Sequence, residues 1–190
     1  MTRAVPRSKI TLALIRAITE AEKRHTAWSG GVTMRAAPES LVQSIVAEQL
    51  GSAGVQLLLE VSVKDLRAVS EGNLLSEDSP KGGRIDIAVY YKSTMPRFVI
   101  EIKKVQTINS LNQDCQRIRT LMHDCPTVQN GLMLGYTVAA KISTVEQRLN
   151  KVVEATGSCI VRRLKPMEVV SKRGKVRFLG TAVYRVDQSD

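Results

Sequence analysis

The sequence predicts a single α/β domain in which a central mixed β-sheet is flanked by helices. The first observation is the order of periodic segments: two helical patterns, three strands, then a helix, a strand, a helix, a strand and a hairpin. The second is size, since 190 residues suit one domain. The third is an apolar content of 43%, which is enough for a buried core.

The N-terminal third begins with helical patterns. A first helix is predicted for residues 8–25, within a basic helical extension formed by residues 1–36. A second helix should follow Pro38 and stop at Gly51, because proline suits a first helical turn and glycine a helix end.

A catalytic core is expected over residues 37–165. The apolar, β-rich run Gln56–Val63 predicts a strand, and the polar segment Lys64–Gly83 predicts a long loop. Two further strands, Arg84–Tyr91 and Arg97–Lys103, are predicted to be joined by a short turn.

The rest of the chain continues the alternation of helices and strands. The hairpin is assigned to residues 166–190, with its turn at Lys172-Arg173-Gly174. The predicted elements are helix Ile108–His123, strand Gly131–Val138, helix Ser143–Ala155, strand Ser158–Leu164 and hairpin Val169–Val186.

Composition narrows the classes of function. The net charge of +10 favours a polyanionic partner, nucleic acid first, although an acidic protein partner stays open. Three scattered cysteines and two histidines argue against a zinc site, a disulfide framework and a histidine-based active site. No apolar run reaches membrane-spanning length and no secretory signal is evident, so we expect a cytoplasmic protein without membrane contact.

The strongest local signal lies in Gly82–Val105. Because side chains alternate along a strand, Glu101 and Lys103 should share one face. If Tyr91 opposes Pro96, residue numbers across the hairpin sum to 187, and Asp86 then lies opposite Glu101.

Two carboxylates at about 5 Å repel each other, and a divalent cation is one means of compensation. The alternative is an edge hairpin with one solvated face, on which Asp86, Glu101 and Lys103 form a surface salt bridge.

The wider pattern resembles the PD-(D/E)XK nuclease superfamily, which includes restriction endonucleases and Holliday-junction resolvases. The match is Ile85-Asp86 followed by Glu101-Ile102-Lys103, with Ile85 in place of the proline. This resemblance implies a restriction-endonuclease-like core and a Mg²⁺ or Mn²⁺ cofactor. It implies that Asp86, Glu101 and the Ile102 carbonyl bind the metal and that Lys103 orients the attacking water.

Two further residues are carried over from the same resemblance. Glu39 fits a glutamate that the superfamily often places on a preceding helix, and its helical phase lies inside the apolar stripe. A first-turn glutamate favoured by the helix dipole is the alternative, and Glu48 is the fallback. Gln113 fits a helical glutamine that contacts phosphate or water, with Gln116 as its rival.

Basic segments are expected to grip DNA through its phosphates. With one Trp, four Tyr and two Phe, base stacking on single strands has little support, so double-stranded or branched DNA is favoured, and a homodimer or a partner protein would suit it. The DNA-contacting candidates are Arg84, Lys104, Arg162, Arg163, Lys172, Arg173 and Lys175.

The sequence thus predicts a metal-dependent DNA endonuclease. A catalytically silent nuclease-like module that binds DNA or scaffolds a complex is the first alternative. A basic interaction protein of the immunity or inhibitor type is the second.

Overall fold

The computed structural model describes residues 6–71, 83–90, 95–106 and 109–187. The helices are α1 Arg7–Trp28, α2 Glu39–Ser52, α3 Val63–Glu71, α4 Asn109–Asp124 and α5 Ile142–Thr156, with a short 3-10 helix at Met34–Ala36. The strands are β1 Gln56–Ser62, β2 Arg84–Tyr90, β3 Pro96–Lys104, β4 Asn130–Ala139, β5 Cys159–Val170 and β6 Val176–Val186.

The six strands form one mixed sheet in the order β1-β2-β3-β4-β6-β5. Strands β3 and β4 are parallel, because α4 carries the chain back between them, and the other neighbours are antiparallel. The α/β class and the mixed sheet flanked by helices are therefore confirmed.

Helices cover both faces of the sheet. Residues of α1 and α2 pack on one face against Phe98, Ile100 and Ile102 of β3. Residues of α4 and α5 pack on the other face, together with Leu66 of α3. Because β3 is covered on both faces, polar groups that it carries must find partners within the protein.

Two glycines allow the second helical layer, formed by α4 and α5, to approach the sheet closely. A Cβ atom on Gly131 would lie 2.2 Å from a methyl group of Ile118, and one on Gly180 would lie 2.1 Å from a methyl group of Val145. The helices α4 and α5 therefore rest on backbone at these points.

Three predicted elements need correction. The loop predicted for Lys64–Gly83 begins as helix α3, whose Val63 and Leu66 are buried, and residues 72–82 lie outside the described part. The strand predicted at Ser158–Leu164 is the first half of β5, so the hairpin begins at Cys159 and a boundary at residue 165 falls inside a strand. Its tight turn includes Gly174, as predicted.

The N-terminal helix is part of the core rather than an added extension. Ile10, Leu14 and Ile18 are fully buried against the sheet. The buried carboxylate of Glu22 accepts a hydrogen bond from the backbone N–H of Met34 at 2.7 Å, which ties the end of α1 to the next segment.

The sequence contains no apolar run long enough to predict a membrane-spanning helix. Among the helices that the structure describes, none combines the length and the apolar character that crossing a bilayer requires.

Candidate active site

The hairpin β2–β3 has the predicted register over three pairs. Ile87 faces Ile100, and the next two pairs keep the sum of 187. Next to the turn, Tyr90 rather than Tyr91 opposes Pro96, because an irregularity shifts the ladder by one residue.

The predicted ladder pair of Asp86 with Glu101 is absent, because the regular pairing of β2 with β3 ends at Ile87. The Oδ2 atom of Asp86 accepts a hydrogen bond from the backbone N–H of Ile102 at 2.6 Å, in place of a backbone carbonyl. The carbonyl oxygen of Asp86 instead accepts from Nε2 of Gln43 on α2, at 2.9 Å. A carboxylate is thereby anchored at the point where the two strands part.

Strand β1 is irregular at the same level. Glu60 lies between the pairs that bracket Asp86 and has a φ angle of 53°, which is uncommon for any residue but glycine. Its Oε1 atom accepts a hydrogen bond from Gln43 Nε2 at 2.7 Å. One glutamine side chain therefore links α2 to both irregular strands.

These irregularities change which face Ile85 occupies. Simple alternation predicts Ile85 on the same face as Ile87, but Ile85 packs in the cluster beneath α4 and Ile87 in the cluster beneath α1 and α2. The prediction was wrong here, because alternation requires an unbroken strand.

Glu101 is the most deeply buried acid of the site, with 1% of its surface exposed. Its carboxyl group shares a hydrogen bond with that of Asp86, and its Oε1 atom lies 2.8 Å from a guanidinium nitrogen of Arg117. Burial, and then the negative charges of Asp86 and Asp114, raise the pKa of Glu101 to about 9. At neutral pH Glu101 is therefore protonated, and its O–H donates the hydrogen bond that Asp86 accepts.

Burial also raises the pKa of Asp86. The Ile102 amide, the hydrogen bond with Glu101 and the charge of Lys103 oppose this shift, while the charge of Glu60 adds to it. The two carboxyl groups thus form a pair that shares one proton.

Lys103 lies two residues further along the strand. Its Nζ atom is 3.3 Å from Oδ2 of Asp114 on α4, and about a quarter of its side chain is exposed. Burial lowers the pKa of Lys103, but Asp114, Glu39 and Glu101 outweigh this effect, so its pKa is raised and it carries a positive charge.

The sequence reasoning missed Asp114 and Arg117. One guanidinium nitrogen of Arg117 contacts Glu101 at 2.8 Å, Asp114 at 3.1 Å and the carbonyl oxygen of Arg84 at 3.3 Å. The available signal was helical phase: Asp114 lies three residues after Leu111 and four before Ile118, on the buried side of α4. A carboxylate on such a face needs a cation.

Glu39 reaches the end of β3 from a position that differs from the prediction. It begins α2 with an exposed side chain rather than lying within the apolar stripe. Its Oε1 atom accepts a hydrogen bond from the backbone N–H of Lys104 at 3.0 Å. The fallback Glu48 lies elsewhere, where both of its oxygens contact Arg24 at 2.6 and 2.8 Å.

The two glutamines considered on α4 point to solvent. Gln113 and Gln116 are exposed, and the buried polar residue between them is Asp114. A phosphate or water contact of Gln113 stays a prediction.

The basic candidates occupy different parts of the surface. Arg84 and Lys104 lie at the site itself. Arg162 is level with Ile102, but three strand spacings away, about 14 Å. It donates to Thr11 on one face of the sheet, whereas its neighbour Arg163 donates to Asn150 on the other face.

The basic turn of the final hairpin lies at the same end of the sheet as the carboxyl end of β3. The backbone N–H of Lys172 donates to the carbonyl oxygen of Gly31 at 2.7 Å, which fixes the turn beside the end of α1. Arg173 and Lys175 follow in this turn and are exposed.

Comparison with protein-family models, with curated proteins and with solved structures finds no match to this chain. The resemblance to the PD-(D/E)XK nucleases therefore depends on the sequence motif alone.

Two observations concern whether the carboxyl groups of the site could bind a metal ion. Within the described ranges, no three His, Cys, Asp or Glu side chains are grouped closely enough to hold an ion. Glu101, which is buried, and Asp86, which is half-buried, nevertheless offer carboxyl oxygens, the hard donors that Mg²⁺ prefers, and the ion usually keeps several water ligands. A cation at this point would have two carboxylate ligands and would complete its shell with water or backbone oxygen.

Proposed function

We propose that this protein is a metal-dependent DNA endonuclease whose active site is formed by Asp86, Glu101 and Lys103. The observation that carries the proposal is the hydrogen-bonded carboxyl pair where β2 and β3 part, with the Lys103 ammonium group two residues along β3. A solvated edge hairpin would leave these groups in water, but Glu101 is buried.

The carboxyl pair supports cation binding through its shared proton. A buried acid that is neutral at pH 7 can release its proton when a metal cation binds in the place of that proton. The cation offsets the repulsion between the carboxylates, which is what raises the pKa of the acid. Asp86 and Glu101 would hold a Mg²⁺ or Mn²⁺ ion, and the Ile102 carbonyl is proposed as a further ligand. When bound, the ion supplies a Lewis acid for the phosphoryl oxygen and lowers the pKa of water.

The neighbouring cations have roles that follow from their placement. The ammonium group of Lys103, held by Asp114 and partly open to solvent, would donate hydrogen bonds to the attacking water or to a phosphate oxygen. Arg117 would balance the charge of Glu101 as its proton leaves. Glu39, exposed at the end of β3, would orient water or approach a second ion.

The net charge of +10 favours DNA as the substrate. The protein would recognise the sugar-phosphate backbone of the DNA, and such contacts give affinity without sequence preference.

Cleavage of plasmid and of labelled linear, nicked, branched and single-stranded DNA, with Mg²⁺ or Mn²⁺, tests the proposal directly. We expect cutting that EDTA stops. Asp86→Asn and Lys103→Gln should lower the rate at least about 100-fold, because the first removes a ligand of the ion and the second removes the cation beside the attacking water and phosphate. Thermal melting should show that both variants remain folded.

The exposed α5 residues Lys151 and Glu154 provide matched controls. Lys151→Ala and Glu154→Gln change a charge of each sign away from the site, so they should cut like the parent. If folded Asp86→Asn and Lys103→Gln proteins also cut like the parent, the site assignment is wrong.

A catalytically silent DNA-binding module is the second candidate, and one observation favours it. Glu101 is paired with Arg117, and Lys103 is paired with Asp114, so the site balances its charges without an ion. Tight DNA binding with no cutting under any divalent ion would support this module and exclude the endonuclease. Absence of DNA binding at low salt would favour a basic protein-interaction partner instead.

A further inference from the structure

A pocket of about 500 Å³ opens at the carboxyl end of β4, beside the candidate active site but separate from it. Its basic lining comes from four parts of the chain: Arg35 of the 3-10 helix, Lys141 before α5, Arg148 of α5 and Arg177 of β6. No acidic residue contributes to the described lining.

The four positive charges of this pocket have no ion-pair partner among the residues that the structure describes. Within the described parts of the chain, no carboxylate forms an ion pair with any of them, although the chain pairs other arginines such as Arg24 and Arg67. Four uncompensated cations around one cavity repel each other, and an anion relieves that repulsion.

Hydrogen bonds within the protein fix some of the pocket residues in position without a ligand. A guanidinium nitrogen of Arg148 donates to the Thr137 hydroxyl at 3.1 Å and to the Val138 carbonyl at 3.3 Å, which fixes the side chain against β4. The carbonyl oxygen of Arg35 accepts a hydrogen bond from the Lys104 ammonium group. Helix α5 starts at the pocket without a side-chain cap, which adds to its positive potential.

The pocket also lies at a useful place relative to the proposed active site. Gln106, which lines the pocket, is three residues beyond Lys103, and the chain turns after β3, because the backbone N–H of Gln106 donates to the Lys104 carbonyl at 2.9 Å. Three residues span at most about 10 Å, which is within the rise of about three base pairs along a duplex axis, at about 3.4 Å each. A single strand of DNA could therefore contact both places at once.

We propose that the Arg35, Lys141, Arg148 and Arg177 pocket binds a backbone phosphate of DNA a few nucleotides from the scissile position. The described lining has no aromatic side chain on which a base could stack, which favours a backbone phosphate over a free nucleotide. The inference takes its substrate class from the proposed function, but it concerns binding rather than chemistry.

Fluorescence anisotropy with a labelled 30-base-pair duplex in EDTA measures this binding without cleavage. Lys141→Ala and Arg177→Ala should each weaken binding several-fold on duplexes of unrelated sequence. Each should also reduce the slope of log K against log salt concentration by about 1, because a phosphate contact releases counterions. Lys141→Arg should bind like the parent, since the charge is kept.

Lys151→Ala is the matched control, because Lys151 is an exposed lysine about 15 Å further along α5 and outside the pocket. If Lys141→Ala and Arg177→Ala bind the duplex as Lys151→Ala does, the pocket assignment is wrong. A second outcome would also show that the assignment is wrong. In that outcome inorganic phosphate or a nucleoside monophosphate raises the melting temperature of the parent through this pocket, while the pocket variants bind the duplex as tightly as the parent.

These outcomes separate the two proposals. Loss of duplex binding in the pocket variants, in a protein that cuts under no divalent ion, supports the pocket and rejects the endonuclease. Cutting that depends on Asp86, with unchanged duplex binding in the pocket variants, does the reverse.

Discussion

At the scale of single residues, the site depends on where one proton resides. Glu101 is neutral beside Asp86 because burial and two neighbouring acids make its ionisation costly, even with Arg117 in contact. A motif of two acids and a lysine identifies the residue types, but only the surroundings determine which acid is protonated.

The raised pKa of Glu101 gives a prediction for stability against pH. Above about pH 4.5 the unfolded chain releases this proton while the folded protein retains it up to a pKa of about 9. The stability contributed by the protonated group is full below pH 4.5 and is lost as pH rises through this window. Between pH 5 and 9 the free energy of unfolding of the metal-free protein should therefore fall by the contribution of Glu101.

Glu101→Gln isolates that contribution, because a glutamine can still donate to Asp86 and accept from Arg117 but does not titrate. At pH 8 we expect the variant to be more stable than the parent by roughly 1–3 kcal/mol, with the difference shrinking toward pH 5. Denaturant unfolding in EDTA across this range measures it. Parallel curves for the two proteins would contradict the protonation assigned to Glu101.

At the scale of elements, the second helical layer is positioned by backbone contacts. Helix α5 rests on β6 at Gly180, and helix α4 rests on β4 at Gly131. The position of α4 matters for the site, because α4 carries both Asp114 and Arg117. Packing distance between helix and sheet is thus linked to the electrostatics of Glu101 and Lys103.

Gly180→Ala should destabilise the protein by about 1–3 kcal/mol, because its Cβ atom would overlap a methyl group of Val145 at 2.1 Å. Gly51→Ala is the control: Gly51 lies in helix α2, and a Cβ atom there meets nothing within 4 Å. That substitution should be neutral or stabilising by up to about 1 kcal/mol. Equal melting temperatures for the two variants would show that α5 moves away without cost.

At the scale of the whole molecule, the basic residues considered for DNA binding lie at one end of the sheet and on both of its faces. The hairpin turn and the basic pocket lie at the carboxyl end of β3 and β4, whereas Arg162 and Arg163 project from opposite faces of the distant strand β5. One DNA molecule lying across the end of the sheet would engage the first group, while Arg162 and Arg163 do not belong to a single surface.

Duplex binding should therefore depend strongly on salt and weakly on sequence. If about six phosphates are contacted, affinity should fall roughly 10³-fold between 50 and 200 mM salt. Titrations with two duplexes of unrelated sequence measure both effects. A salt-insensitive affinity, or strong preference for one of the sequences, would contradict recognition through the backbone.

The order of elements could be predicted from sequence because it depends on local periodicity and turn residues. The helices α1, α2, α4 and α5 and the strands β1 to β4 follow the predicted segments closely. The errors came from segments without a clear local signal: α3 is short and amphipathic, and β5 continues through Pro166, which resembles a strand boundary in the sequence.

By itself, the sequence determined the α/β class, the register of β2 against β3 from Ile87 to Val89, and the positive charge. These features follow from spacing along the chain and from residue counts. Only the tertiary structure decided that Asp114 and Arg117 reach the same point, that Ile85 changes face, and that four cations surround one pocket. The physical reason is that desolvation and ion pairing depend on distances between segments far apart in sequence, which no local pattern encodes.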